Sequence, residues 1–458
     1  MNGEVLVERA LDLAKGDTIV LVESSSQANV RWAGNSLTTN GLGTSHRVTV
    51  IATSRSRGGV GVGSLTRAGV TEADIPDLVA AAEQVALQAE PAEDAADFIS
   101  GPISPAFGQS APSASPSDLT EVAAALGEVF GRADAESVEL FGYAEYDLTT
   151  TWVGSSTGLR RRHVQPTARV DMTAKSHDRT RSTWAGMNAA ALGDVDVSGL
   201  YEESLVRLGW QAQRVDTEPG RHTVILSPSA VADLMIYLYW TADVRDAAEG
   251  RTVFSRPGGR TRLGETLSSR ALRIWSDPAD GQVACLPFVT AESSGPGQSV
   301  FDNGMALSAT DWIHDGRLAT LWGSRFSSAL AGQPCKPPID NLLISDRDGA
   351  GDLSDLISRT EDALLVNSLW YMREVDPPTL LVTGLTRDGV YRIRDGEVVG
   401  ATANYRFNES PVGILGRVTD VGMSERTMCR EWGDWFSRVV APAMTISGFH
   451  LSTRSQAS

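Results

Sequence analysis

Apolar and polar positions in the first hundred residues follow two different periods. Apolar side chains recur at helical spacing over residues 5–14 and again over residues 74–89, so each stretch is expected to bury one face of a helix. The apolar runs between them are short, and pairs of Gly and Asn at 34–35 and 40–41 interrupt them as turn residues do. We predict strands over 18–22, 29–33, 47–53 and 59–65. The pattern indicates an N-terminal α/β domain over residues 1–100 that contains an antiparallel meander.

Residues 101–117 break this pattern. They are rich in Pro, Ser and Gly and have no apolar periodicity, which is typical of a linker. Beyond them, helical patterns over 118–132 and 200–213 enclose a second set of strand-like runs. We therefore predict a linker over 101–117, followed by a central α/β domain over 118–216.

The remaining residues, 217–458, contain fewer helical signals. Ser227 followed by Pro228 is a good helix start, because Ser can cap the free N–H groups and Pro fits the first helical position. The apolar face that follows predicts a helix ending at Gly250. One further helix is predicted over 353–366.

Strand signals dominate the rest of this C-terminal segment. Asp-Gly pairs at 315–316 and 395–396 lie between apolar runs, which is the signal of a type I′ hairpin. The predicted fold class is therefore α+β, with an N-terminal α/β region of antiparallel meanders followed by a large β-rich domain over 217–458.

Composition limits the partners that the chain can have. Its 458 residues carry a formal net charge of −17, which disfavours binding to nucleic acid or to an anionic membrane surface. The N-terminal residues do not resemble a signal peptide, and no apolar stretch approaches the length of a membrane span. At least one cysteine must stay unpaired, so we expect a reducing, cytoplasmic environment. The three cysteines are Cys285, Cys335 and Cys429.

The motifs of zinc-dependent hydrolysis and of phosphate binding are missing from the sequence. No two histidines lie within five residues of each other, so there is no HExxH motif for a catalytic zinc ion. The glycine-rich residues 58–64 lack the Lys-Ser/Thr ending of a phosphate-binding loop and fit a close-packed strand better. A nucleophilic serine, or Cys429, stays an open alternative. The histidines are His46, His163, His177, His222, His314 and His450.

Several segments, taken in order along the chain, resemble the TldD/PmbA family. The first is residues 31–38 with the glycine-rich 58–64, and the second runs from Val253-Phe254-Ser255 to Asp277-Pro278. The third begins at Phe301-Asp302-Asn303-Gly304 and includes residues 313–318, and the fourth is the tail at 442–448. Each segment alone is weak, but the ordered set extends over almost the whole chain.

The resemblance implies a particular type of member. TldD-type members are zinc peptidases with an HExxxH motif on a helix and a cysteine ligand near the C-terminus. PmbA/TldE-type members lack the metal site and pair with a TldD-type subunit. Aligned without gaps from Val253, the HExxxH positions of this chain are Met235, Ile236 and Trp240, and Cys429 lies near the position of the ligand cysteine.

These positions lead to an expectation about function. A thioether, an alkyl group and an indole cannot replace two imidazoles and a carboxylate, so we expect no catalytic residue, metal ligand or cofactor in this chain. The resemblance implies zinc in a TldD-type partner subunit and a peptide or unfolded segment as substrate. Tyr237, Tyr239 and Trp240 are candidates for a peptide groove or interface, with core packing as the alternative.

The chain also departs from the family pattern. Asn303-Gly304 replaces a more usual acidic-glycine step, and Trp370-Tyr371 and residues 432–435 replace glycine-rich segments. The partner and substrate are therefore less closely defined than the family. The alternative function is a stand-alone homodimeric binding or scaffold protein with a degenerate peptidase cavity.

Overall fold

The computed structural model describes residues 2–56 and 58–455 and has the expected α+β fold. In the N-terminal part, helices flank two groups of three consecutive strands. They are α1 Gly3–Leu13, β1 Thr18–Ala33, β2 Leu37–Ser56, β3 Gly59–Ala68, α2 Ile75–Gln88, α3 Thr120–Ala135, β4 Val138–Ser155, β5 Arg160–Ser176, β6 Ser182–Ala189 and α4 Val197–Trp210.

All six strands of this part belong to one antiparallel sheet with the order β3-β2-β1-β4-β5-β6. The central pair, β1 with β4, joins residues from the segments 1–100 and 118–216. The two segments that were predicted as separate domains therefore contribute strands to the same sheet, while the exact domain boundaries stay a prediction.

Strand β1 runs without a break from Thr18 to Ala33, where the apolar pattern predicted two strands, at 18–22 and 29–33. The intervening residues are mostly polar, so side-chain periodicity gave no strand signal there. Their backbone groups nevertheless pair with β2 on one side and β4 on the other. The prediction was wrong at this point because ladder hydrogen bonds, rather than apolar side chains, hold the middle of the strand.

The segment over 101–117 lies against this sheet. Phe107 is 3% exposed, and its carbonyl accepts a hydrogen bond from Trp152 Nε1 of β4 at 3.0 Å. Farther along, the backbone N–H of Ala114 donates to Ser26 Oγ of β1 at 2.9 Å. These contacts tie a segment with a linker-like composition to the central strands.

The glycine-rich residues 58–64 form the start of β3 beneath helix α2. A Cβ atom added at Gly63 would overlap the carbonyl oxygen of Ala82, and one at Gly61 would overlap that of Ala86. Glycine is needed here because the helix backbone approaches the strand closely. The segment is the close-packed strand that its sequence favoured.

The two faces of the N-terminal sheet have different partners. On β1, Val20 and Val22 pack with helices α1 and α2, whereas their neighbours Ile19 and Leu21 pack with Phe301 and other apolar residues of the C-terminal part. Successive side chains of a strand point to opposite faces. One face of the sheet is therefore covered by helices and the other is partly covered by the C-terminal part.

Most of the described residues from 220 onward belong to strands or to the loops between them. The elements are β7 Gly220–Leu226, α5 Pro228–Trp240, α6 Val244–Ala248, β8 Ser255–Arg256, β9 Arg260–Thr261, β10 Leu272–Ser276, β11 Thr310–His314, β12 Arg317–Leu318, α7 Arg325–Leu330, β13 Leu342–Asp346, α8 Leu353–Ser358, β14 Asp362–Asp376, β15 Leu381–Arg394, β16 Glu397–Ala401, β17 Tyr405–Glu409, α9 Pro411–Leu415, β18 Val418–Thr427 and β19 Val439–Arg454.

Eleven of these strands form one mixed sheet. It is antiparallel except where β13 pairs with β19 and where β14 pairs with β7. Both Asp-Gly turns are confirmed: Asp315-Gly316 joins β11 to β12 and Asp395-Gly396 joins β15 to β16, with positive φ at all four residues. Positive φ at both central residues is the geometry of a type I′ turn.

Two helix predictions in this part were wrong at their C-terminal ends. The helix that begins at Pro228 ends at Trp240 instead of Gly250, because Asp243 caps the separate helix α6. The helix predicted over 353–366 ends at Ser358, and strand β14 begins at Asp362. The apolar run that follows Asp362 is buried between neighbouring strands, a pattern that periodicity alone cannot distinguish from a helix.

Candidate functional site

Helix α5 lies in the core of the C-terminal part. Its start is fixed by Ser227, whose side chain accepts a hydrogen bond from the Ala230 N–H at 3.2 Å, and by Pro228 in the first turn. Eleven of its 13 residues are buried. A helix that is apolar on all sides must be enclosed by other elements, and here β7, β14, β18 and β19 contact it.

The residues at the three positions where the resemblance places HExxxH are packing groups. Met235 is 1% exposed and Ile236 is fully buried, and both belong to the main core cluster. Trp240 is half-buried and its ring meets that of Trp432 edge-on, with centroids 5.2 Å apart. None of the three side chains can bind zinc as imidazole does or activate water as a carboxylate does.

Cys429 is also held in an apolar environment. It is fully buried, and its thiol donates a hydrogen bond to the carbonyl oxygen of Phe436 at 3.0 Å. Burial, and secondarily the nearby carboxyl group of Asp233, raise the pKa of this thiol well above its ordinary value. The thiolate is the form that binds metal, so this cysteine is poorly suited to be a ligand.

A zinc ion therefore does not fit the side chains at this site. Across residues 2–56 and 58–455 there is no group of three or more His, Cys, Asp or Glu side chains that could hold a metal ion.

Asp233 of α5 anchors the loop over 428–438, which we call the C-terminal loop. Its carboxyl oxygen Oδ1 accepts hydrogen bonds from the backbone N–H groups of Glu431 at 3.0 Å and Trp432 at 3.3 Å. Its backbone carbonyl accepts a third bond, from Trp432 Nε1 at 3.0 Å. The loop is thus attached to the helix that carries the degenerate positions.

The carboxyl group of Asp233 is itself unusual. It is fully buried, and burial raises its pKa well above the ordinary range, an effect increased by the charge of Glu431. Its second oxygen, Oδ2, has no hydrogen-bond partner among the described residues. Sequence reasoning did not select this residue, although an acidic group within the apolar run of α5 is a signal that could have found it.

Aromatic side chains of α5 and the C-terminal loop pack together. Tyr237 is half-buried with its ring 5.5 Å from that of Trp432, and Trp240 also lies 6.3 Å from Phe436. Tyr239 is 3% exposed, and its hydroxyl both donates to and accepts from the backbone of Ile339. We call this group the aromatic cluster; its members are Tyr237, Tyr239, Trp240, Trp432, Trp435 and Phe436.

A mainly apolar cavity of about 460 Å³ lies beside the aromatic cluster. Of the three groove candidates, Tyr239 and Trp240 line it and Tyr237 does not. The other walls come from distant segments, and Trp435, 69% exposed, is one of the lining residues. Aromatic lining residues that sequence reasoning did not assign to a site are Phe288, Trp322, Trp435 and Phe436. A cavity of this size and character can accept an apolar side chain or a small apolar ligand.

Three solved structures share this fold over nearly the whole length of both chains. TldE from Thermococcus kodakarensis has a TM-score of 0.78 at 15% sequence identity, with 98% of this chain and 99% of that chain covered. A proposed modulator of a DNA gyrase from Thermotoga maritima has a TM-score of 0.77 at 14% identity, with 98% and 100% covered. A proposed modulator of DNA gyrase from Bacteroides thetaiotaomicron has a TM-score of 0.74 at 13% identity, with 98% and 97% covered. No curated protein matches the chain.

The fold and the sequence together define a metallopeptidase-like class of protein. Residues 219–453 match the model of the PmbA/TldA metallopeptidase C-terminal domain. This match covers half of the 458 residues, and the chain therefore belongs to the TldD/PmbA family. None of the helices in the described part of the chain combines the length and the apolar character that crossing a membrane requires.

Proposed function

We propose that this chain is a non-catalytic, TldE-type subunit of a TldD/TldE-type zinc peptidase that acts on peptides or unfolded segments. The observation that carries the proposal is helix α5, where Met235 and Ile236 are buried packing groups at the positions of the HExxxH motif. The overall similarity to a solved structure named TldE supports the same subunit type. Zinc and the catalytic residues then belong to a TldD-type partner.

The proposed role of the chain is to complete the space in which the partner acts on its substrate. The cavity beside Trp240 offers apolar and aromatic walls, with Trp435 exposed among them. Such a surface can hold an apolar side chain of an extended peptide, while peptide main-chain groups bond to neighbouring backbone. The aromatic cluster would therefore contribute substrate affinity without contributing a reacting group.

A reducing, cytoplasmic setting is part of the proposal. Cys285, Cys335 and Cys429 are all free, and burial raises the pKa of Cys285 to about 12 and that of Cys335 to about 11. Thiols with raised pKa values are weakly reactive because little thiolate is present. These cysteines suit structural positions in a compartment where disulfides do not form.

The proposal is tested by metal analysis and size-exclusion chromatography. The chain is purified alone and also together with a TldD-type protein that contains the HExxxH motif. We expect no stoichiometric zinc in the chain alone and about one zinc ion per heterodimer, since a catalytic site holds one ion. The mixture should co-elute and cleave peptides faster than the TldD-type protein alone.

Two results would contradict this function. If the isolated chain binds one zinc ion and cleaves peptides until a chelator is added, it is a peptidase in its own right. If it elutes as a homodimer and never associates with the TldD-type protein, the stand-alone scaffold is the better description. Peptide cleavage by the isolated chain that resists chelators but stops on alkylation would instead indicate a nucleophilic cysteine.

A further inference from the structure

A second cleft, of about 570 Å³, lies between the N-terminal and C-terminal sheets. One wall comes from β5 and from the turn that joins it to β6, and the other from β15, from β16 and from Arg430 of the C-terminal loop. It shares no lining residue with the cavity beside the aromatic cluster. The two spaces can therefore be altered independently.

The charge of this cleft is opposite to that of the whole protein. The chain has 57 acidic and 40 basic residues, yet the cleft is lined by five cationic side chains and a single acidic one, Asp388. Such a concentration of one sign attracts ligands of the other. The cationic residues are Lys175, Arg179, Arg214, Arg387 and Arg430.

Three of the five cations have carboxylate partners. Arg179 donates to Glu139 at 2.9 Å, and Arg430 lies 3.5 Å from Asp171 and 3.6 Å from Asp388. Arg387 also lies near Asp388, at 3.8 Å.

The other two cationic side chains, Lys175 and Arg214, have no carboxylate partner among the described residues. Lys175 has only the ring of Phe141, at 5.4 Å, and Arg214 has no side-chain hydrogen bond or ion pair to any residue that the structure describes. Neither of these two cationic side chains therefore forms an ion pair with a described residue.

The inner wall of the cleft contains buried polar atoms that lack a hydrogen-bond partner. The side chain of Asp388 is 9% exposed, and its Oδ2 and Nε of Arg430 form an ion pair at 3.6 Å but have no hydrogen bond within the described part of the chain. Asp388 also has φ +56°, a conformation that side-chain-bearing residues adopt infrequently. Buried charged groups whose hydrogen bonding is incomplete are costly, and they concentrate where proteins bind ligands.

Arg430 is held in place before any ligand arrives. Its guanidinium group lies over the rings of Trp184, at 4.9 Å, and Trp370, at 5.1 Å. Stacking on two indoles restricts the side chain without using its N–H groups. The hydroxyl groups of Thr173 and Ser182 line the same cleft and can donate further hydrogen bonds, whereas those of Thr180 and Thr402 already donate to Asp178 and Tyr405.

We propose that this cleft is a binding site for an oxyanion, the phosphate or carboxylate group of a small molecule or peptide. Lys175 and Arg214 would neutralise its charge. Arg430 and the hydroxyl groups of Thr173 and Ser182 would donate hydrogen bonds to its oxygens. Guanidinium and ammonium groups bind these anions through short, charge-assisted hydrogen bonds. The site does not depend on the proposed peptidase role, because it involves neither α5 nor a partner subunit.

Binding is measured by isothermal titration of the full chain with two probes, sodium pyrophosphate and a tetraglutamate peptide. At least one probe should bind wild type, and its affinity should fall as salt is added because the interaction is electrostatic. The double variant Lys175→Gln/Arg214→Gln should bind that probe at least about tenfold more weakly, because two charge-assisted contacts are lost. Pyrophosphate binding alone would identify a phosphate ligand, and peptide binding alone a carboxylate ligand.

A matched control removes the same net charge elsewhere. Lys15, 86% exposed, and the exposed Arg394 lie outside the cleft, so Lys15→Gln/Arg394→Gln should bind the probe within about twofold of wild type. The proposal is overturned if neither probe binds wild type, or if both double variants lose affinity equally. Equal loss would mean that overall charge, and not this cleft, attracts the anion.

Discussion

At the scale of single residues, Asp243 shows how burial changes the ionisation of a carboxyl group. It caps helix α6, accepting a hydrogen bond from the Asp246 N–H at 2.8 Å, while its other oxygen has no partner in the described chain. Burial raises the pKa of Asp243 to about 6. Since the folded state holds this proton more tightly than the unfolded state, stability is lost as pH rises from about 4 through 6.

Asp243→Asn should make the protein more stable at neutral pH. The amide still caps the helix but does not ionise, so the free energy of unfolding should exceed that of wild type by up to about 3 kcal/mol above pH 6. The difference should shrink steadily as the pH falls and disappear only below about pH 4. Urea denaturation from pH 4.5 to 8 measures this, with Asp352→Asn, at the exposed cap of α8, as the control. If Asp243→Asn raises the free energy of unfolding by the same amount at every pH, ionisation of Asp243 is not the cause.

At the scale of elements, sequence signals located the starts of helices better than their ends. The Ser-Pro start of α5 was predictable because capping is local, whereas its end depends on Asp243 beginning a new helix three residues later. The run after Asp362 was predicted as helix because a buried strand and a buried helix are both apolar on every side. Its pairing with β15 is a local hairpin, but its parallel pairing with β7 joins segments far apart in sequence and left no signal there.

The attachment of the C-terminal loop to α5 gives a prediction at this scale. Asp233→Ala removes the acceptor of two backbone N–H groups and should lower the free energy of unfolding by about 1–3 kcal/mol relative to Asp233→Asn. The Asn variant keeps the acceptor and cannot ionise. Because burial raises the pKa of Asp233, wild type should lose stability relative to Asn as pH rises above about 4.

Wild type, Asp233→Ala and Asp233→Asn are denatured at several pH values and followed by tryptophan fluorescence. This measures both the loss of the hydrogen-bond acceptor and the cost of ionising the buried carboxyl group. Trp432 of the C-terminal loop donates to the backbone carbonyl of residue 233, so the fluorescence also reports on the loop itself. Equal stability of the Ala and Asn variants would contradict the anchoring role of this side chain.

At the scale of the whole molecule, the α+β class followed from patterns along the chain, but the sites did not. The positions that the resemblance assigns to HExxxH lie within one helix, so the sequence alone was enough to propose them, and that assignment stays a prediction. The cavity and the oxyanion cleft are built from segments that are far apart in sequence, such as Lys175 and Arg430. Sheet pairing brings these segments together, and single-sequence periodicity carries no information about such pairing.

The same reasoning applies to residues 101–117, whose composition predicted a linker. Phe107 is 3% exposed within the core cluster that contains α1, α2 and Trp152, so Phe107→Ala should lower the free energy of unfolding by about 3–5 kcal/mol. Ile103→Ala, in the same segment but at a residue 65% exposed, should change it by less than about 0.5 kcal/mol. Chemical denaturation of both variants distinguishes a segment packed on the sheet from a spacer. If Phe107→Ala unfolds at the same denaturant concentration as wild type, the segment contributes nothing to the fold and its linker-like composition was the better guide.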